Sequence, residues 1–178
     1  PISLYNKTKM ISERVLMSYQ NEIDIYCIRP ATVCGVSPRM RLDLTVNILT
    51  YNAIKNNIIN VFGGKQIRPN IHINDMVDIY CFLLKKKIPT GIYNAGFENM
   101  SIISIAKLVS NITGAKIEVQ KSNDPRSYRL DSSKLLKQGF KPKCSIETGI
   151  EDVIEFTKST KILKSFFSVK WLKDLSIK

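Results

Sequence analysis

Histidine occurs once in this chain, at His72, and the four cysteines, Cys27, Cys34, Cys81 and Cys144, include no CxxC pair. Metal ligands gather at short, regular spacings, so neither a zinc centre nor a disulfide framework is expected. Cys27 and Cys81 fall inside apolar segments and read as buried, reduced thiols. No apolar run approaches the roughly 20 residues that cross a bilayer. The first ten residues hold no apolar signal-peptide core, so the chain reads as cytoplasmic, with no membrane partner expected. Acidic residues are scarce: 15 Asp+Glu stand against 27 Lys+Arg, a net charge of +12. Such a field favours polyanions or phosphate-bearing ligands. Aromatics do not interleave with Arg and Lys in any recognition motif, which argues against nucleic acid. Most lysines are scattered, apart from the run Lys85, Lys86, Lys87, and read as a solvated surface. Glycine-rich phosphate loops are lacking too. Gly63-Gly64 stands alone and reads as a turn.

What is present fits one domain. At 178 residues with 44% apolar content, the chain can build a real core. Apolar positions at helical spacing predict a helix over 4–20, and the alternating IDIYCIR predicts a strand over 23–29 ended by Pro30. A loop is expected over 31–41 and a helix over 42–56. IINVF (58–62) reads as a short strand. IRPNIHI is extended, with Pro69 arguing for an edge or irregular position. Asn74 is the expected cap of a helix running to about Lys87, with Asp75 in its first turn as a capping and orienting carboxylate. GIYNAG (91–96) and AKIEVQ (115–120) read as strands. Ser101 and Ser145 are expected to cap helices, the first stopped by Gly114 and the second running to about Lys158, with a short helix between them ended by Gly139. This alternation predicts an α/β fold with parallel strands.

Tyr5 and Lys9 stand four residues apart in the first helix, so their side chains share a face. A phenol ordinarily titrates near 10, and an ammonium beside it favours the phenolate. Such a pair can move a proton while a cofactor moves a hydride. The same spacing also arises by chance in helices.

Four segments in order resemble the C-terminal half of an extended short-chain dehydrogenase/reductase of the NAD-dependent sugar-nucleotide epimerase/dehydratase kind. They are YNKTK followed by Glu13; IYCIRPATVCGVSPRMR, similar to the family's RPxxVYGP stretch; VFGGKQIRPNIHINDMVDIY, similar to GxxxRxxxHVxD; and DPRSYRLDSSKLLKQGFKP, similar to its late D-x-SK…LGF-P segment. The resemblance covers about residues 1–157. It implies a partial Rossmann-type parallel sheet interwoven with a small α/β substrate-binding subdomain. Residues 1–37 would carry the catalytic helix and following strand. Residues 38–157 would be mainly substrate-binding, with 75–96 returning to the Rossmann part. Tyr5 would be the general acid/base. Lys9 would favour the phenolate and hydrogen-bond the nicotinamide ribose. Pro30 and Val33 would lie near the nicotinamide of NAD or NADP. Arg68 would contact the diphosphate of a nucleotide sugar, with Arg41 and Arg126 as further candidates. His72 is expected to be structural rather than catalytic.

The chain departs from the family's pattern in one large respect. The glycine-rich loop, and the Ser/Thr that completes the catalytic set, should precede Tyr5 by well over a hundred residues, and four residues do. The family's late arginine aligns with Lys121, before Asn123-Asp124, unless Arg126 takes its place. The expectation is therefore a fragment that binds NAD poorly, turns over little, and self-associates or uses a companion chain carrying the other half. A non-catalytic nucleotide- or protein-binding module that kept part of the fold is the alternative. Residues 158–178 lie beyond the resemblance and read as a basic amphipathic helix, packed on its own domain, on a partner or on an anionic surface.

Overall fold

The computed structural model describes residues 3–122, 126–163 and 166–167. In chain order the elements are α1 (Leu4–Ser18), β1 (Tyr26–Pro30), β2 (Thr32–Cys34), α2 (Thr45–Asn56), β3 (Ile58–Phe62), β4 (Ile67–His72), α3 (Ile73–Lys85), β5 (Gly91–Ala95), β6 (Glu98–Ser101), α4 (Ile102–Thr113), β7 (Lys116–Gln120), α5 (Ser133–Lys137) and α6 (Ile146–Ser159). Three parallel pairs organise them: β1 with β5, β2 with β4, and β3 with β7. β6 adds to the other side of β4 in the antiparallel sense, from Ile67↔Ser101 to Asn70↔Glu98. The fold is α/β with parallel pairing, as the alternation of elements implies.

Local chemistry accounts for most boundaries. The Ser101 hydroxyl accepts from the Ser104 N–H at 3.1 Å to open α4, and Gly114, at φ +77°, closes it. Ser145 and Thr148 form a reciprocal capping box at the start of α6. The cap of α3 is His72, not Asn74: its Nδ1 accepts from the Asn74 N–H at 3.2 Å. β2 lies within the expected loop, and β6 is likewise unexpected. β4 is the middle strand of β2-β4-β6, and Pro69 lies in the part of it that β6 alone pairs, open on the β2 side. Its lack of an N–H is tolerated because β2 pairs with β4 only from Asn70 onward, so no ladder bond is lost on that side.

Two large apolar centres hold the layers, and a smaller third gathers Met40, Leu42 and Val153. Val46 and Leu49 of α2, Ile59 and Val61 of β3, Ile105 and Val109 of α4, and Ile150 of α6 form one. Ile71, Ile79, Tyr93, Leu135 and Phe140 form the other. Each such side chain contributes about 1.5–3 kcal/mol by leaving water. Of the cysteines, Cys34 is the buried one. Burial pushes its thiol up to about 12, so it is inert. Cys81 is exposed and Cys27 only half-buried, contrary to expectation. No helix among the described residues is long and apolar enough to cross a membrane.

Asp75 holds the two halves of the chain together at one point. Its carboxylate is 1% exposed and accepts from the backbone N–H groups of Lys143 at 2.8 Å and Cys144 at 3.1 Å, just ahead of α6. Asp75→Asn turns one acceptor into a donor facing a donor. The expected loss is about 2 kcal/mol, read in urea denaturation at pH 7.

The helix expected over 158–178 falls largely outside the described residues. Where the tail is described, Phe166 and Phe167 pack on the body. The Leu42 N–H donates to the Phe166 carbonyl at 2.5 Å, and the Phe167 ring meets Tyr51 edge-on at 5.0 Å.

Candidate functional site

A cavity of about 520 Å³ opens where α2, β3 and β4 converge with the segment 126–128. Its wall includes Arg68, Arg126, Tyr128, Thr45, Asn52 and Asn60. β4 aims Arg68 into it, and three contacts bring the 126–128 segment alongside. The Ile67 N–H donates to the Ser127 hydroxyl at 3.0 Å, the Tyr128 N–H donates to the Ile67 carbonyl at 3.3 Å, and Arg68 Nη1 donates to the Arg126 carbonyl. The guanidinium of Arg68 lies 5.6 Å from the centre of the Tyr128 ring. The N-terminus of α2 faces the same space through Leu44 and Thr45. Leu44 offers no side-chain cap, so the first-turn N–H groups and the positive end of the helix dipole are directed there. Two arginines and a helix N-terminus suit this wall to anionic oxygen, and the Asp43 carboxylate on the same wall is bound to Arg41.

Arg41 is not part of that wall. Its fork is bound to Asp43, at 2.7 Å from Nε and 2.9 Å from Nη2. Tyr5 and Lys9 do lie together, the Lys9 Nζ 5.6 Å from the Tyr5 ring centre, on an α1 face where Tyr5 is 68% exposed. Neither lines the cavity. Pro30 ends β1 at the surface, and Val33, half-buried, packs on the second apolar centre. His72 is buried, with Nε2 at 3.0 Å from Asp152 Oδ2. Because Nδ1 accepts a backbone hydrogen, Nε2 carries the proton and donates it to that carboxylate. Sequence reasoning missed Asn52, Asn60 and Tyr128. Asn60, a polar residue at the centre of the apolar IINVF, was the available signal.

Glu98, beside the start of α6, accepts from the Ile146 N–H at 2.6 Å. Burial pushes its carboxyl up from 4.5, with Glu147 and Asp75 adding to the effect against the lowering pull of that hydrogen bond. A carboxyl raised in the folded state costs stability when ionised, and the cost is relieved as pH falls through the folded value. Glu98→Gln keeps the acceptor and removes the charge. Its melting temperature is expected to exceed wild type by about 2 °C at pH 7, with the difference shrinking toward pH 4.5.

The family model for the NAD dependent epimerase/dehydratase family matches residues 1–96. An uncharacterized UDP-glucose epimerase of Bacillus subtilis is 27% identical over 169 residues, covering 89% of this chain and 53% of that protein. Human dTDP-D-glucose 4,6-dehydratase is 28% identical, with 88% of this chain and 48% of the relative covered. Among solved structures, the UDP-glucuronic acid 4-epimerase of Bacillus cereus, in complex with UDP-glucuronic acid and NAD, superposes with a TM-score of 0.75 at 28% identity, covering 89% of this chain and 53% of the other. The chain spans about half the length of the curated relatives it matches. With the match extending over residues 1–96 of 178, it belongs to the NAD dependent epimerase/dehydratase family.

Proposed function

We propose that this chain supplies the catalytic helix and the substrate site of an NAD-dependent sugar-nucleotide epimerase or dehydratase, and corresponds to the C-terminal half of such an enzyme. Residues 1–37 and 75–96 belong to its Rossmann part, and the remainder of 38–157 to its substrate part. The observation that carries the reading is the cavity in which Arg68 and Arg126 meet the N-terminus of α2. A diphosphate fits those donors, and the polar wall at Asn52 and Asn60 suits a base or sugar. Bound NAD supplies the acceptor for a hydride from a sugar carbon. Tyr5 takes the proton of the hydroxyl on that carbon, Lys9 would hydrogen-bond the nicotinamide ribose, and Pro30 and Val33 would border the nicotinamide. Gly63-Gly64 is no cradle for the pyrophosphate, because the Gly63 N–H donates to the Gln120 carbonyl at 2.8 Å and the Gly64 N–H to Gln66 Oε1 at 2.7 Å. That turn therefore offers the pyrophosphate no free N–H groups, and the chain by itself is expected to turn over little.

Calorimetric titration with UDP-glucose and dTDP-glucose tests the reading. Wild type binds at least one, and Arg126→Ala weakens that binding by about tenfold or more. Wild type that binds neither refutes the substrate site and favours a module that kept only part of the fold.

A further inference from the structure

We propose that Glu13 and Arg29 are positioning residues that hold the Tyr5–Lys9 pair at the carboxyl end of β1, an inference that rests on the role proposed for that pair. Tyr5, Lys9 and Glu13 are spaced four apart along α1, so they form one row on the helix surface. The last member of the row is gripped from the sheet. Arg29 Nε donates to Glu13 Oε2 at 2.8 Å, and Nη2 donates to Oε1 at 2.5 Å, a two-pronged contact that fixes direction as well as distance. Arg29 is next to last in β1, and parallel strands present ligands at their carboxyl ends. The fork therefore sets where along the strand, and at what rotation, the row begun by Tyr5 stands.

Packing leaves this task to the fork. No residue of α1 is buried. Only Met10, Glu13 and Met17 are partly covered, a single stripe three and four residues apart that faces the body. Leu4, Ile11 and Val15 lie on another side and are more than half exposed. Two methionines guide a helix loosely, because their thioethers adapt to many shapes. The surroundings agree with a carboxylate set against β1. Arg29 holds the Glu13 carboxyl below its usual range, chiefly by hydrogen bonding, and the thiol of Cys27, two residues along the same face of the strand, is raised first by burial and then by Glu13.

The test is hydrogen exchange of the α1 amides in the intact chain, together with the ring resonance of 13C-labelled Tyr5, assigned by its loss in Tyr5→Phe. Glu13→Gln and Arg29→Gln are each expected to speed α1 exchange about threefold and to move the Tyr5 resonance toward its value in an unfolded peptide, with α4 and α6 unaltered. The exchanged pair, Glu13→Arg with Arg29→Glu, restores both readouts, which a change in helix propensity alone does not do. Unaltered exchange or an unmoved Tyr5 resonance in the single variants, or no recovery in the double, overturns the proposal. Neither readout depends on turnover. A chain that binds no nucleotide sugar sinks the proposed function while these measurements stand, and unaltered exchange sinks the fork while the function stands.

Discussion

Tyr5→Phe is expected to lower turnover of a nucleotide sugar about a thousandfold, while substrate affinity stays within about twofold of wild type. The substitution keeps the ring and deletes the hydroxyl proposed to carry the proton. Tyr5 is 68% exposed and helps bury nothing, so the melting temperature should not move, and lost turnover cannot be blamed on lost folding. Lys9→Met removes the ammonium that sits 5.6 Å from the ring centre and is expected to cost about a hundredfold. The measurement is kcat and KM separately, on this chain combined with a cofactor-binding half from a relative. A Tyr5→Phe variant that retains a tenth of wild-type turnover removes Tyr5 from the proton path.

Gly35→Ala is the largest expected effect on stability, about 3 kcal/mol, from two additive sources. Gly35 has φ +96°, a conformation that a side chain strains. An added Cβ would also stand 2.7 Å from His72 Nε2. That nitrogen cannot retreat, since the ring is held on one side by the Asn74 N–H and on the other by Asp152. The Gly35 backbone is fixed as well, its N–H donating to Asn47 Oδ1 at 3.1 Å. The variant should unfold at lower urea with an unchanged m-value. A loss below about 1 kcal/mol would mean that β2 and the His72 ring shift together at little cost.

Elements whose cause is local were legible in the sequence. Ser101, Ser145 and Gly114 act on their own helix ends, and the spacing of Tyr5 and Lys9 is itself a helical row. β2 and β6 were not legible, because three or four residues carry no period of their own. Thr32–Cys34 is a strand only because Asn70–His72 lies beside it. Asn74 has the right chemistry for a cap, but the preceding His72 is held where its Nδ1 reaches the same N–H, so tertiary placement decided between them. Cys81 sits in an apolar run yet lies on the outer side of α3, a matter of helical phase rather than composition. The cavity was least legible. Arg68 and Arg126 are 58 residues apart, and they meet only because the 126–128 segment continues β4's hydrogen bonding where β2 stops. Arg41 has suitable chemistry too, but Asp43, two residues away, binds its fork, and it does not line the cavity.

The parallel pairing of β1 with β5 has a consequence during synthesis. Tyr26 finds its partner only at Gly91, and β2, α2, β3, β4 and α3 all intervene. At roughly 5–20 residues per second a ribosome needs several seconds to deliver that partner. Through that interval β1 lacks its β5 partner, while β2 gains β4 before β5 emerges. The nascent chain should therefore pair β2 with β4 first, β1 with β5 next and β3 with β7 last, and the YCIRP segment, which waits through the longest stretch of chain for its parallel partner, is the natural target of a holding chaperone.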